Sequence, residues 1–229
     1  MTSFAAENLG CIRGERTVFS NLSFHLESGD LLLLHGQNGS GKSSLLRVLA
    51  GLIDHSAGRL FWNQAALGRD LSAHHASLTY VGHQDVIKPQ LSVAENLGFW
   101  ARLHGRGSAK VTAALAAFDL VPLAQQPGRL LSSGQRRRLA LARLLVIPAR
   151  LWLLDEPTVG LDRSSIARLT NVLTDHRAAG GMAILATHVA IEQPDTRDLN
   201  LNNFQASPTN LHQASSEELD AALDRELGW

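Results

Sequence analysis

The chain has 229 residues, 45% of them hydrophobic and 18% charged, with 21 basic residues against 21 acidic ones. These proportions exclude a disordered chain and leave room for one domain with a sizeable core, or one with a smaller inserted lobe. A net charge of zero offers no global attraction to nucleic acid or anionic lipid, and the single cysteine, Cys11, excludes an intrachain disulfide.

The opening MTSFAAENLGCIRGE has neither a basic start nor an apolar core, so it does not read as a secretory signal. No apolar run reaches the roughly 18–20 residues needed to cross a bilayer. The expected location is therefore cytoplasmic, with any attachment to a membrane made through a partner.

GDLLLLHG is a continuous apolar run closed by glycine, as expected of a parallel strand covered on both faces. GKSSLLRVLAGLI follows with Leu45, Leu46, Leu49, Leu52 and Ile53 at helical spacing, so strand, glycine loop and helix form half of a βαβ unit. ASLTYVGHQ is a second strand, after which LSVAENLGFWARLHG and AKVTAALAAFDL read as helices, the first opened by a Ser92–Glu95 capping box. A helical lobe is thus expected over about 86–135. The helix starting near LSSGQ runs toward Pro148, RLWLLDE is the next buried strand, and DRSSIARLTNVLTDHRAAGG is an amphipathic helix ended by glycine. MAILATH is a third buried strand and DLNLNNF an edge strand. SSEELDAALDRELGW would form a last helix opened by Ser215 and Glu218.

GQNGSGKS matches G-x-x-x-x-G-K-[ST] in full: Gly36, Gln37, Asn38, Gly39, Ser40, Gly41, Lys42 and Ser43, with Ser44 next in the helix. Glycines let backbone N–H groups turn inward around a phosphate, and the helix aims its positive end at the same place. Lys42 would reach the β- and γ-phosphates and the Ser43 hydroxyl would ligate Mg²⁺. LWLLDE supplies the partner, with Asp155 facing the magnesium shell and Glu156 polarising the attacking water as general base. A glycine turn and a strand end occur by chance, but here they occur together.

Gln84, closing LTYVGHQ, would hold the metal or the water. His188, closing MAILATH, would bond the γ-phosphate. Each is otherwise a solvated strand cap, although both follow strands that end on the edge where ligands collect in open α/β folds. Asp162 reads equally as a helix N-cap and as a site residue. LSSGQ is a second small, hydroxyl-rich turn that could hold an anion. Arg136, Arg137 and Arg138 read as arginines on exposed helix faces, with Leu139, Leu141 and Leu144 facing inward. The ten histidines, His74 and His75 among them, read as surface residues apart from His188.

In order and rough spacing, GQNGSGKS, Gln84, LSSGQ, LWLLDE, GLD and His188 resemble the ATPase domain of ABC transporters over about residues 4–203. The resemblance implies an α/β fold: a RecA-like P-loop NTPase core, an antiparallel β subdomain and an inserted α-helical signature lobe. It implies ATP and Mg²⁺, with Glu156, His188 and Lys42 as the catalytic set and Ser43, Gln84 and Asp155 around the metal. It also gives the second turn a place. Two domains pair head to tail, so Ser132, Ser133 and Gly134, with Gln135 completing the motif, would contact the γ-phosphate held by a second copy. LSSGQ departs from the commoner LSGGQ, and the aromatic residue that usually stacks on adenine falls, by register, on Arg13, whose guanidinium can also stack on a base.

YVGHQDVIKPQLSVAENLGFWARLHG, GGMAILATH and the CIRGER opening resemble more narrowly the ATP-binding subunit of the cytochrome c maturation system, a subfamily associated with haem export or with release of a haem-loaded chaperone. That implies a peripheral subunit on the cytoplasmic face of the bacterial inner membrane, with a CcmB-like permease, CcmC- and CcmD-like proteins and no nucleic acid. The ATPase domain would span 1–203, and the polar tail 204–229 lies outside the resemblance. Other readings are the ATPase of a different ABC exporter, which would share every catalytic residue, or a soluble ABC ATPase that moves no solute. A non-hydrolysing regulator fits poorly with the presence of Glu156 and His188.

Overall fold

The computed structural model describes residues 2–189, 191 and 193–205. β1 (Ser3–Arg13) and β2 (Arg16–Glu27) form an antiparallel hairpin with Arg13 opposite Arg16. The two-residue turn between them requires positive φ, which Gly14 supplies at 61°. β3 (Leu31–His35) leads through the glycine loop into α1 (Lys42–Leu49). β4 (Ala57–Trp62) pairs with the far side of β1 and continues into the short β5 (Ala65–Ala66), completing a four-stranded antiparallel sheet.

A six-residue helix, α2 (Ser72–Ser77), precedes β6 (Leu78–Val81). The chain then leaves the sheet for α3 (Val93–Leu103) and α4 (Ser108–Ala117), and re-enters it through α5 (Ser133–Ala142) and β7 (Leu151–Asp155). α6 (Arg163–Ala178), β8 (Met182–Ala186) and β9 (Thr196–Asn200) follow, and a 3₁₀ turn over Leu201–Phe204 finishes the described chain. The second sheet is wholly parallel, in the order β6-β7-β8-β3-β9. Every residue of β7 and β8 is buried, which explains the apolar runs LWLL, ahead of the buried Asp155, and MAILA. Among the described residues β9 pairs only with β3, and its polar TRDLN sequence suits an edge.

One core joins the antiparallel sheet, α1 and one face of the parallel sheet through Phe4, Phe19, Leu45, Leu49 and Ile184. The other lies between the opposite face, α6 and the lobe, around Leu97, Phe118, Leu139, Leu154 and Leu169. The arrangement agrees with the expected P-loop core, antiparallel subdomain and helical lobe. The Ser92–Glu95 capping box is present, with both reciprocal bonds made.

Two readings change, and a third cannot be compared. The periodicity through Leu52 and Ile53 does not continue the helix: α1 stops at Leu49, Gly51 takes a φ of 68°, and Leu52 is 57% exposed. The helix after LSSGQ tightens into a 3₁₀ turn over Arg143–Leu145 before Pro148. The proposed Ser215–Glu218 helix lies outside the described residues, as does the tail beyond residue 205.

The histidines also differ from expectation. His74 is buried, accepting from the Trp62 indole at 2.8 Å and donating to the Leu49 carbonyl at 2.8 Å. His176 is stacked on Trp152 with centroids 3.6 Å apart and planes 6° apart. Burial pushes its imidazole from 6.5 down to about 4, despite its N–H bond to the Met182 carbonyl, and the nearby Arg150 charge acts in the same direction.

Between pH 6.5 and 4 the unfolded chain therefore protonates this position while the folded chain does not. Stability is full above that window and falls as pH drops through it, by up to about 3 kcal/mol from this group. The melting temperature of His176→Phe should accordingly fall less steeply than the wild type's across that window. Equal slopes would contradict the assignment.

Candidate active site

The parallel sheet brings four segments to its carboxyl edge: the phosphate loop after β3, the Gln84 turn after β6, Glu156 after β7 and His188 after β8. At the loop's end Gly41 has a φ of 102°, and a Cβ there would collide with the Val18 side chain. No side chain caps α1, so its first N–H groups are left to face the loop. Lys42 is buried, and its ammonium donates to the Gly36 and Gln37 carbonyls at 2.7 and 3.2 Å.

A cavity of about 460 Å³ opens over this loop. Asn38, Gly39, Gly41, Lys42, Ser43 and Ser44 form its floor. Arg13, Arg16 and Val18 from the β1–β2 hairpin stand on one side, and Asp155 and Glu156 on the other. Arg13 thus lines the phosphate-loop cavity. Gly36 and Gln37 contribute their carbonyls to Lys42, and Ser40, within the loop, is buried.

Asp155 is 2% exposed, and one of its carboxylate oxygens accepts from the Ser43 hydroxyl at 3.0 Å. The other accepts from the Tyr80 hydroxyl at 3.4 Å; burial raises the Tyr80 phenol above its ordinary 10.0, keeping it a donor. A hydroxyl and one carboxylate beside a phosphate cradle are a hard oxygen set that fits Mg²⁺, which usually keeps several waters and takes one or two carboxylates plus phosphate. Among the described residues no cluster of three or more His, Cys, Asp or Glu is placed to hold a metal ion unaided.

Glu156 adopts a φ of 48°, a strained left-handed conformation for a residue with a side chain. Its N–H donates to the Ala186 carbonyl at 2.8 Å, and Thr158 and Thr187 pair through their hydroxyls at 3.0 Å in the buried layer beside it. His188 Nε2 lies 3.3 Å from the Glu156 carboxylate, its own side chain half exposed. So His188 is not simply a solvated cap; it faces the proposed base. Gln84 is exposed in the turn after β6. Asp162 is the N-cap of α6, accepting from the Ser165 N–H at 2.8 Å.

The signature turn lies apart from the residues lining the phosphate-loop cavity. Ser132 and Gln135 close a capping box on α5, Gln135 donating its N–H to Ser132 at 3.3 Å and accepting from the Ser132 N–H at 2.8 Å. Ser133 is exposed, and a Cβ on Gly134 would stand 3.0 Å from the Gly160 carbonyl.

The reading of three surface arginines fails at Arg137, which is 4% exposed. Its guanidinium donates to the carbonyls of Gly82, Asp155, Glu156 and Pro157 and to the Asp85 carboxylate. A planar fork with five donors can be buried when it meets that many acceptors. Arg16, Val18, Tyr80, Thr158, Thr187 and Arg137 were therefore missed in the sequence. Only Arg16 carried a usable signal, as the hairpin partner of Arg13.

The ABC transporter family model matches residues 19–159, and the chain belongs to that family of ATP-binding proteins. Within it the chain is similar to proteins named cytochrome c biogenesis ATP-binding export protein CcmA. That of Paramagnetospirillum magneticum is 55% identical over 89% of this chain and 95% of its own length. That of Rhodospirillum rubrum is 54% identical over 90% of this chain and 88% of its own. In structure the chain resembles a putative ABC transporter ATP-binding protein from Pyrococcus furiosus, with a TM-score of 0.78 and 21% identity over 89% of this chain and all of that one. It also resembles an ATP-binding cassette solved as a dimer after hydrolysis, bound to ADP and Pi, with a TM-score of 0.72 and 23% identity over 81% and 88%. At those identities the structural likeness speaks for the fold alone.

Proposed function

We propose that this chain is the ATP-hydrolysing subunit of an exporter complex of cytochrome c biogenesis, working as a head-to-tail pair at the cytoplasmic face of the inner membrane. The observation that carries the reading is one cavity lined by Lys42, Ser43, Asp155 and Glu156 beneath a full phosphate loop, in a chain more than half identical to relatives named for that system. The cargo implied by the subfamily is haem, and the implied membrane partners are a CcmB-like permease with CcmC- and CcmD-like proteins.

In this reading the inward N–H groups of the loop and the α1 N-terminus bind the phosphates, and Lys42 exchanges its two carbonyl partners for phosphate oxygens. Ser43 and Asp155, with Gln84 from the β6 turn, would hold Mg²⁺, which supplies charge neutralisation on the phosphates when bound. Glu156 accepts the proton of the attacking water, while His188 orients the carboxylate and reaches for the γ-phosphate. Arg13, on the cavity wall, would stack on the base of the nucleotide. Ser132, Ser133, Gly134 and Gln135 present the N-terminus of α5 to the nucleotide of a second copy, which accounts for their distance from this chain's own cavity. Among the described residues no helix is long and apolar enough to cross a membrane.

Purification of the tagged chain from detergent-solubilised native membranes, with mass spectrometry of what accompanies it, tests the assignment. A CcmB-like membrane protein should be recovered. A different permease, or ribosomes, would leave the ATPase and overturn the cytochrome c role.

The lobe offers the partner a cavity of about 880 Å³ between α3 and α4, with exposed Glu95 on its wall. The Ser92 backbone N–H bond holds that carboxyl below its usual range, so it is ionised at neutral pH. Glu95→Lys should lower permease recovery at least about tenfold and leave ATP affinity unchanged, as reversal of an interface charge does. Glu95→Gln, which can keep the capping box, should fall between the two. Loss of ATP affinity in Glu95→Lys would count against the docking role.

A further inference from the structure

We propose that Arg137 is a positioning residue for Glu156, fixing the base's strained backbone and tying it to the loop that follows β6. The inference rests on the reading of Glu156 as the base. Five bonds run from one buried guanidinium. Nη2 donates to the Asp155 carbonyl at 2.9 Å and the Glu156 carbonyl at 2.7 Å, and Nε donates to the Pro157 carbonyl at 3.3 Å. Nη1 donates to the Gly82 carbonyl at 2.8 Å and to Asp85 at 3.1 Å. Three consecutive carbonyls of the Glu156 turn are thus held from one side, and both ends of the Gln84 turn from the other.

That pattern has a use beyond filling the interior. A residue with a φ of 48° persists only where its surroundings over-determine it. The Ala186 carbonyl fixes the Glu156 N–H, and Arg137 fixes its carbonyl, so the peptide groups on both sides of the Glu156 Cα are held. The side chain that carries the carboxylate then has a defined origin, as a general base aligned on one water requires.

Asp85 gives the same guanidinium a charged partner in the adjacent turn, its side chain 20% exposed against 5% for Arg137. A second buried cation, Arg143, faces Asp85 from the end of α5 and stacks over Trp100 of the lobe at 5.1 Å. A displacement of the Gln84–Asp85 turn therefore pulls on the atom group that shapes the base. Lysine cannot replace this, since a point ammonium has three donors and cannot bridge both turns.

The test is steady-state ATP hydrolysis with ATP affinity measured separately by a fluorescent-nucleotide titration. Arg137→Lys should lower kcat by about 10–100-fold, the cost of a misplaced catalytic group. Its KM and ATP affinity should stay within about twofold, because the guanidinium bonds neither the phosphate loop nor the Asp155 carboxylate. Asp85→Asn keeps the carbonyl bonds and is expected to fold normally, giving a smaller loss in kcat alone.

In a Glu156→Gln background, Arg137→Lys should cost no further rate, with residual hydrolysis followed by radiolabelled ATP. An unchanged kcat in Arg137→Lys, a parallel loss of ATP affinity, or a further loss of the same size in the Glu156→Gln background would overturn the positioning role. Native turnover by Glu156→Gln alone would instead overturn the base assignment, so the two failures are distinct.

Discussion

Glu156→Gln should lower ATP turnover by about 10²–10⁴-fold, the usual worth of a positioned general base, and leave ATP binding near the wild-type value. The substitution keeps the size of the side chain and a hydrogen-bonding partner for His188, which lies 3.3 Å from the carboxylate. It removes the group proposed to take the proton from water. Because the carboxylate borders the cavity without joining the Lys42 bonds, binding and turnover should separate cleanly. The proposed head-to-tail pair has a second consequence: with hydrolysis blocked, bound ATP should hold two copies together, and the protein should elute as a dimer only when ATP and Mg²⁺ are present. Turnover at the native rate would show that another group activates the water.

Lys42→Ala should act on the opposite quantity. The ammonium is buried and already committed to acceptors, so transfer to phosphate oxygens replaces two hydrogen bonds to neutral carbonyls with two to charged oxygens. Bonds of that kind are worth about 1.5–3 kcal/mol each, and loss of the ammonium should weaken ATP binding by roughly a hundredfold or more. The change also leaves the Gly36 and Gln37 carbonyls without that donor. A melting curve close to the wild type's would show the loop intact and assign the effect to phosphate binding. ATP affinity within about threefold of wild type, by isothermal titration, would contradict the role given to Lys42.

The parts of the site that could be read in the sequence are those whose chemistry is local. The phosphate loop is eight consecutive residues whose glycines answer to backbone geometry, and Gly41 shows why: the neighbouring Val18 leaves no room for a Cβ. β7 and β8 declare themselves as apolar runs because both faces are covered, and Asp155 and Glu156 are marked by following directly on one of them. The capping box at Ser92 is local for the same reason, and it occurs; the one at Ser132 is equally local but appears only in the structure.

What could not be read depends on partners distant in sequence. Arg137 stands between two arginines that retain partial exposure, and nothing in RRR distinguishes it. Its burial follows from carbonyls in the turns after β6 and β7, gathered only when the sheet assembles. His74 is buried because Trp62 and the Leu49 carbonyl meet it there, and His176 because Trp152 offers a stacking face. Helical spacing through Leu52 and Ile53 misled in another way. Periodicity reports which side chains would share a face if the helix continued, and at Gly51 it does not. The LSSGQ turn reads as an anion site in the sequence, and in the proposed head-to-tail pair the nucleotide it serves belongs to a second copy.

The most direct test of the account is a cross-link between two copies. Cys11, the chain's one cysteine, is buried, so chains carrying either Asn38→Cys or Ser133→Cys have one reactive thiol each. The two forms, both with Glu156→Gln and distinguished by a tag, are mixed and treated with a short bifunctional thiol reagent. A site completed in trans predicts a covalent pair of tagged and untagged chains that forms with ATP and Mg²⁺ and not with ADP. Absence of that pair, in a mixture whose chains still bind ATP, would contradict a signature turn that serves the phosphate loop of its neighbour.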